Sequence, residues 1–462
     1  MKPSFGKDLT AGSVPKQLTG FALPILLGNI LSTGYSIINA IWVGRLLGRD
    51  AVGAVAVSFP IFLGLVALCS GATLATSILI SKAYGEGEPS KIQRIVNNSW
   101  SIAVILIVLV TAGGLLASTP LLRMLGTPDE LMPLATGYLN LTIAGFAGLY
   151  LSHLIAAILR GIGDTMIPLI FIILSTVMNA LLDPLLIAGI GPLPKLGLNG
   201  AAAASIFSSA TAVVLGMLYM LRKYAKQPLH PRRFILEKSI GTDMLKIGLP
   251  SFAQQMLISL GYAFITVFVN RFGAASIAAF GVASRIDSLA AMPGVAMMMA
   301  TSNLTAQNLG AGKQERVKQI FKWGLVLNTP LMLILSALCM AFPAAIMGIF
   351  VSEPEVIQAG IGYLRMVGAG YLFFIVLYVS NGVINGAGRT ISTMLITFLS
   401  LCIVRIPLAA WLSHTGLEIQ GIWLSIVISM GVSAAASLLY YSSGKWLGGV
   451  KRPAKPHTLS TE

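Results

Sequence analysis

Long apolar stretches, not alternation or short amphipathic windows, dominate the pattern of hydrophobic and polar positions in this chain. Runs such as 101–118, 166–182 and 324–350 are apolar almost throughout. About twenty such residues in helical form cross the roughly 30 Å hydrocarbon core of a bilayer. Continuous runs also exclude a transmembrane β-barrel, whose strands alternate apolar and polar residues. Polar and Pro/Gly punctuation divides the chain into twelve predicted helices: 16–44, 51–82, 92–117, 131–158, 166–190, 199–222, 242–272, 276–305, 317–342, 356–384, 391–414 and 419–443. The predicted fold is an all-α polytopic membrane protein, and an even number of spans puts both termini on one face.

Charge orients it. Only 10% of residues are charged and 56% are hydrophobic, against about a quarter charged in soluble domains. With both termini in the cytoplasm, only Arg45, Arg49, Arg123, Lys195 and Arg271 fall on the outer side, and Arg285, Arg365 and Arg405 lie within spans. The other bases are cytoplasmic, many of them in the central 223–246 loop, as the positive-inside rule requires. The net charge of +15 therefore does not point to nucleic acid, because no basic face is interleaved with exposed aromatics. The three cysteines, Cys69, Cys339 and Cys402, lie in apolar segments and read as packing residues. The first apolar segment has no cleavage site and is expected to remain as helix 1. Trp100 and Trp323, near the starts of helices 3 and 9, suit membrane-interface anchoring.

The chain is also a repeat. "AYGEGEPSKIQRI" (83–95) aligns with "NLGAGKQERVKQI" (308–320), "GYLNLTIAGF" (137–146) with "GYLRMVGAGY" (362–371), and "RGIGDT" (160–165) with "NGAGRT" (385–390), all offset by about 225 residues. "VGRLLGRDAVGAVAV" from Val43 matches "VNRFGAASIAAFGV" from Val269 after a one-residue gap, and Pro24 matches Pro250. Each half has six helices and both enter from the same side, so the repeat is parallel, with its pseudo-twofold axis along the membrane normal. The expected organisation is an N-lobe (1–222), a cytoplasmic inter-lobe loop (223–246), a C-lobe (247–443) and a cytoplasmic tail (444–462). Channels usually show a filter segment or a ring of charges, and neither is present; a transporter of two rocking bundles fits better.

"VGRLLGRDAVGAVAV", "SKAYGEGE", "RGIGDT", "LLDPLLIAG", "AAFGVASRIDSLAAMPG" and "VRIPLA", in this order and spacing, resemble the multidrug and toxic compound extrusion (MATE) family, prokaryotic branch, over nearly the whole chain. The resemblance implies a secondary active antiporter in the bacterial plasma (inner) membrane that exports amphipathic, often cationic compounds in exchange for H⁺ or Na⁺. It implies no organic cofactor, and the protein is expected to act as a monomer.

Acids inside a bilayer are costly and default to functional hypotheses. Asp183 in helix 5 and Asp287 in helix 8 are the clear ones. Asn179 and Asp183 share a helix face at i, i+4, and Pro184 follows at once. In helix 1, Asn29, Ser32, Ser36 and Asn39 form a polar stripe suited to an aqueous cavity or to interhelical hydrogen bonds. Desolvation favours the neutral form of a carboxyl group, which lets a buried acid exchange a proton near neutral pH; its oxygens, with neighbouring amide carbonyls, could equally ligate Na⁺. The resemblance sharpens this assignment. It implies an N-lobe pocket that pairs an acid in helix 1 with the Asn and Asp of helix 5, which are matched here by Asn179 and Asp183. Asn39 stands where the helix 1 acid would be. Tyr35 and Tyr138 match aromatic positions near that pocket, and Ser36 and Asp287 complete the candidate substrate-binding set. Asp287 and Arg285, two residues apart, point away from each other, so Asp287 is expected to pair with a base on another helix, Arg365 or Arg405. "AMMMA" (296–300) reads first as packing.

No Walker motif, metal-ligand cluster or nucleophile triad occurs, and "RGIGDT" lacks the strand and Gly-Lys-Ser/Thr of a phosphate loop. The chain is therefore not expected to be an enzyme. The competing reading, a lipid-linked or polysaccharide precursor flippase of the same architecture, would call for a strongly basic central cavity.

Overall fold

The structure is a computed structural model and describes residues 5–190 and 194–447. Among the described residues, eleven helices are long and apolar enough to cross a membrane, and one bent pair makes a twelfth span. In chain order they are α1 (Val14–Leu47), α2 (Arg49–Glu86), α3 (Pro89–Met124), α4 (Met132–Gly161), α5 (Met166–Ala188), α6 (Leu198–Lys223), α7 (Lys238–Phe272), α8 (Ala274–Gly310), α9 (Gln314–Ala341), α10 (Pro354–Gly370 with Phe373–Gly386), α11 (Thr390–Leu412) and α12 (Glu418–Ser442). Most of the helices begin a few residues before the apolar windows that predict them, because polar residues at the interface extend a helix without adding to its hydropathy, whereas α5 stops at Ala188, short of the predicted 190. Of the expected tail, residues 448–462 lie outside the described residues.

Polar residues inside the spans are tolerated because most satisfy themselves locally. Ser58 Oγ donates to the Ala54 carbonyl (2.8 Å) and Thr73 Oγ1 to that of Cys69 (2.7 Å), one turn back. Each set of six helices centres a core, the first of which also takes in Ile240, Met244, Ile247 and Ala306 of the second half. Ile80, Ile92, Phe146, Tyr150 and Leu159 anchor the first; Phe280, Tyr363, Tyr371 and Trp423 anchor the second. There the Phe280 and Trp423 rings stack at 5.7 Å and Tyr363 meets Trp423 edge-on at 4.7 Å.

The duplication is visible in the backbone. Turns that need a left-handed residue use Gly48, Gly87 and Gly163 in the first half and Gly273, Gly312 and Gly388 in the second, all at positive φ, where only glycine is unstrained. The break in α10, a bend of 49°, falls at the end of "GYLRMVGAGY"; α4 is interrupted at Gly145, inside the aligned "GYLNLTIAGF". In α11 the stretch Leu399–Arg405 is wound as a π-helix.

The halves meet through α1 and α2 on one side and α7, α8 and α9 on the other. Contact is concentrated toward the face that carries the N-terminus. There Leu18, Phe21 and Ala22 of α1 pack against Ala296, Met297, Ala300 and Leu304 of α8, so the "AMMMA" run is packing. Asn303 Oδ1 accepts hydroxyls from Ser77 (2.7 Å) and Ser81 (2.9 Å), and Gln307 Nε2 donates to the Gly161 carbonyl (3.3 Å). The segment before α1 adds a clasp. Leu9 N donates to Gln307 Oε1 (3.1 Å), Asn308 Nδ2 to the Leu9 carbonyl (3.1 Å), Lys313 Nζ to that of Thr10 (2.7 Å), and Lys7 N to that of Ile162 (2.9 Å).

Candidate functional site

Asp183 sits in α5 and is fully buried. Pro184 follows it without an N–H, which removes the intrahelical bond to the Ala180 carbonyl and leaves that turn free to adapt. α1 faces Asp183 with residues one helical turn apart. Tyr35 donates its hydroxyl to Asp183 Oδ2 at 2.9 Å, and Asn39 Nδ2 donates to the same oxygen at 2.7 Å. Asn39 Nδ2 also lies 3.1 Å from the Tyr35 hydroxyl, which closes a triangle. Hydrogen bonds to an ionised acceptor are among the stronger ones, about 1.5–3 kcal/mol each.

The other carboxylate oxygen is different. Asp183 Oδ1 is buried without a hydrogen-bond partner, and so is Asn179 Oδ1 one turn earlier on the same helix face. Asn179 orients its amide by donating Nδ2 to Ser205 Oγ of α6 at 3.3 Å. Two orphaned acceptor oxygens thus lie one turn apart on one helix face, where an unmet acceptor costs about 1–3 kcal/mol. Such a pair fits a proton on the carboxylate or a hard cation that seeks oxygen ligands.

The remaining sequence candidates separate. Tyr138 packs beside the cluster of Val43, Leu139 and Ile187 near this pocket. Ser36 is exposed, and its hydroxyl turns back to the Ser32 carbonyl at 3.1 Å; the stripe of helix 1 splits, with Asn39 toward Asp183 and Ser36 away from it. Asp287 lies in the other half. Its partners are the hydroxyls of Tyr363 on α10 and Tyr371 at the break of α10, one on each carboxylate oxygen, where the sequence predicts a base. Arg285 and Arg365 are exposed. Half-buried Arg405 donates Nε to Ser429 Oγ at 2.7 Å and contributes only its charge to the Asp287 neighbourhood. Two hydroxyl donors saturate Asp287 in a way that Asp183 is not saturated.

The "RGIGDT" turn is structural, as expected: Asp164 Oδ1 caps α5 by accepting from Met166 N (3.1 Å) and Ile167 N (3.3 Å). Sequence reasoning missed the inter-lobe polar cluster of Ser77, Ser81, Asn303 and Gln307, although its i, i+4 spacings on α2 and α8 are readable.

The family model described as MatE matches the chain twice, at residues 24–185 and 250–411. The chain belongs to the MatE family. The two matches start at Pro24 and Pro250, the pair that marks the repeat. MatE proteins are membrane transporters and not enzymes, so this chain is a multi-pass transporter of two six-helix lobes related by a parallel repeat. It is 33% identical over 443 residues to the probable multidrug resistance protein YpnP of Bacillus subtilis, covering 95% of this chain and 97% of that one. It is 26% identical over 462 residues to a protein named FAD transporter from Shewanella oneidensis, covering 98% of each. Among solved structures it resembles a MOP superfamily transporter from Pyrococcus furiosus with a binding pocket of reverse polarity (TM-score 0.89, 26% identity, 96% of this chain and 98% of that one). It also resembles a multidrug resistance MATE transporter in an outward-facing conformation (TM-score 0.89, 25% identity, the same coverage).

Proposed function

We propose that this MatE protein is an ion-coupled efflux antiporter for amphipathic, often cationic compounds. Asp183 would be its principal coupling acid, and both termini would lie in the cytoplasm. The observation that carries the reading is the pair of unpartnered oxygens, Asp183 Oδ1 and Asn179 Oδ1, beside a carboxylate whose other oxygen is already held by Tyr35 and Asn39. In this reading Tyr35 and Asn39 fix the carboxylate, and the coupling ion, H⁺ or Na⁺, occupies the open side. Asn39 turns its N–H toward Asp183, so it acts as a donor that holds the anion and not as an oxygen ligand. Tyr35 and Tyr138, beside Asp183, would contact substrate, and Ser36, which turns away from Asp183, would not.

The closed contacts all lie on the N-terminal face, which supports a state open to the other side. Export would then follow ion entry at Asp183, release of its grip on α1, and rocking that parts the Asn303 and Gln307 contacts. The multidrug names of several relatives support an organic, apolar substrate class. The flippase reading receives less support, since of Arg285, Arg365 and Arg405 the first two are exposed and the third is only partly buried.

The test is purified protein in liposomes with an imposed H⁺ or Na⁺ gradient and a panel of lipophilic cations. Uphill movement of at least two unrelated cations under one gradient is expected. Substrate movement that ignores both gradients would refute the coupling.

A further inference from the structure

The segment between the lobes is not a loose linker. Between His230 and Glu237 its backbone lies along the start of α3, and four α3 side chains hold it. Gln93 Nε2 donates to the His230 carbonyl (2.9 Å). Asn97 Oδ1 accepts from Arg232 N (3.0 Å), Ser101 Oγ from Ile235 N (3.0 Å) and Asn98 Oδ1 from Glu237 N (2.7 Å). Arg94 and Glu237 pair alongside. Because the strap is fixed by its backbone, the side chains of Arg232, Arg233 and Phe234 are free, and all three are exposed.

Beneath them is a groove of about 320 Å³ between strap and helix, lined by Trp100, Ser101, Val104 and Pro231 together with Arg232–Phe234. The Trp100 Nε1 donor is buried there with no partner. On one side the groove runs into the bare face of α3. Val104, Val108 and Leu109 are 45%, 59% and 62% exposed, which for a spanning helix means lipid-facing. Phe234, 66% exposed, extends that apolar surface onto the strap. An unmet indole donor, two guanidinium groups and an apolar runway meet at the depth where the helix leaves the bilayer.

From this juxtaposition we infer that the groove is a binding site for an anionic phospholipid: Arg232 and Arg233 take the phosphate, Trp100 Nε1 donates to the headgroup or glycerol oxygens, and an acyl chain lies along Val104 and Val108. Guanidinium matches phosphate geometry, and basic pockets beside spanning helices hold lipid headgroups in this way. A free anion has no use for the apolar runway, which is why the lipid is preferred.

The experiment uses the full chain in nanodiscs of phosphatidylcholine doped with acyl-brominated phosphatidylglycerol or, separately, with acyl-brominated phosphatidylcholine. Quenching of the Trp100 signal is taken as the difference between the protein and Trp100→Phe. The expected result is stronger quenching by the anionic lipid at low mole fraction, with the half-quenching fraction raised roughly tenfold or more in R232Q/R233Q, given the contribution of a basic residue near an anionic surface. Equal quenching by the two lipids, or a preference that survives the double substitution, would overturn the inference. Full reversal by inorganic phosphate at millimolar concentration would overturn it too, in favour of an anion site. The substituted side chains make none of the strap's backbone bonds, and an unchanged melting temperature checks that the fold is intact.

Discussion

Replacing Gly310 by alanine wedges the lobes apart at their closed face. A Cβ at this position would lie 3.0 Å from the Lys82 carbonyl carbon, 3.1 Å from Glu86 N, and closer still to the Lys82 carbonyl oxygen. All three are backbone atoms of α2 and cannot rotate away, so the helices must part by on the order of 1 Å, a gap that forfeits a quarter to a half of each contact's attraction. Overpacking of this kind costs about 1–3 kcal/mol. The cost falls on the state closed at the N-terminal face and spares the state in which α2 and α8 have separated, so the equilibrium moves roughly 5–150-fold toward opening there. Ala306, fully buried between the lobes, reports it. With Cys69, Cys339 and Cys402 replaced and Ala306→Cys introduced, maleimide labelling should accelerate by a factor in that range when Gly310→Ala is added. An unchanged labelling rate in a folded protein would show that this crossing is not the gate.

Other outcomes follow from the same contacts. Tyr35→Phe removes one charge-assisted donor from Asp183 and should weaken coupling by roughly tenfold or more at about 1.5–3 kcal/mol, read as the gradient needed for half-maximal efflux, with protein stability little changed. Asn39→Asp places a second carboxylate against Asp183 in place of a donor; one of the two must then hold a proton or a cation, so the ion dependence of efflux should shift, and an unchanged dependence would leave Asn39 as interhelical glue. Tyr363→Phe strips one of the two donors from Asp287 and should lower the melting temperature while gradient-driven efflux persists; loss of coupling with stability intact would make Asp287 a working site. The Arg94 guanidinium holds the Glu237 carboxyl below its usual range. Their pairing is thus complete at neutral pH and is lost only as the pH falls through that lowered value, so the strap of the parent protein should become more protease-sensitive in acid, whereas in Arg94→Gln, which has no such pair to lose, the sensitivity should already be raised at neutral pH.

The spans, the repeat and the family were legible because each is written locally: twenty apolar residues in a row, or a glycine wherever a turn demands positive φ, as at Gly163 and Gly388. Asp183 and Asn179 were legible for the same reason, since i, i+4 spacing alone puts them on one face. What the sequence hid is non-local. Nothing near Asp287 announces that Tyr363 and Tyr371 will reach it from α10, and a base was the natural expectation for a lone buried acid. The stripe of helix 1 reads as one face, yet Tyr35 and Asn39 meet Asp183 while Ser36 turns away, because a stripe is wider than the contact it makes. The broken span is invisible to hydropathy: around Gly370 the composition stays apolar while the axis bends by 49°.

Asp183→Asn in proteoliposomes separates ion coupling from substrate binding. It keeps the size of the side chain but removes the charge and the proton-accepting oxygen. Efflux driven by an imposed H⁺ or Na⁺ gradient should fall to the level of empty liposomes, while binding of a lipophilic cation measured without a gradient is retained. Full gradient-driven efflux by Asp183→Asn would contradict the account.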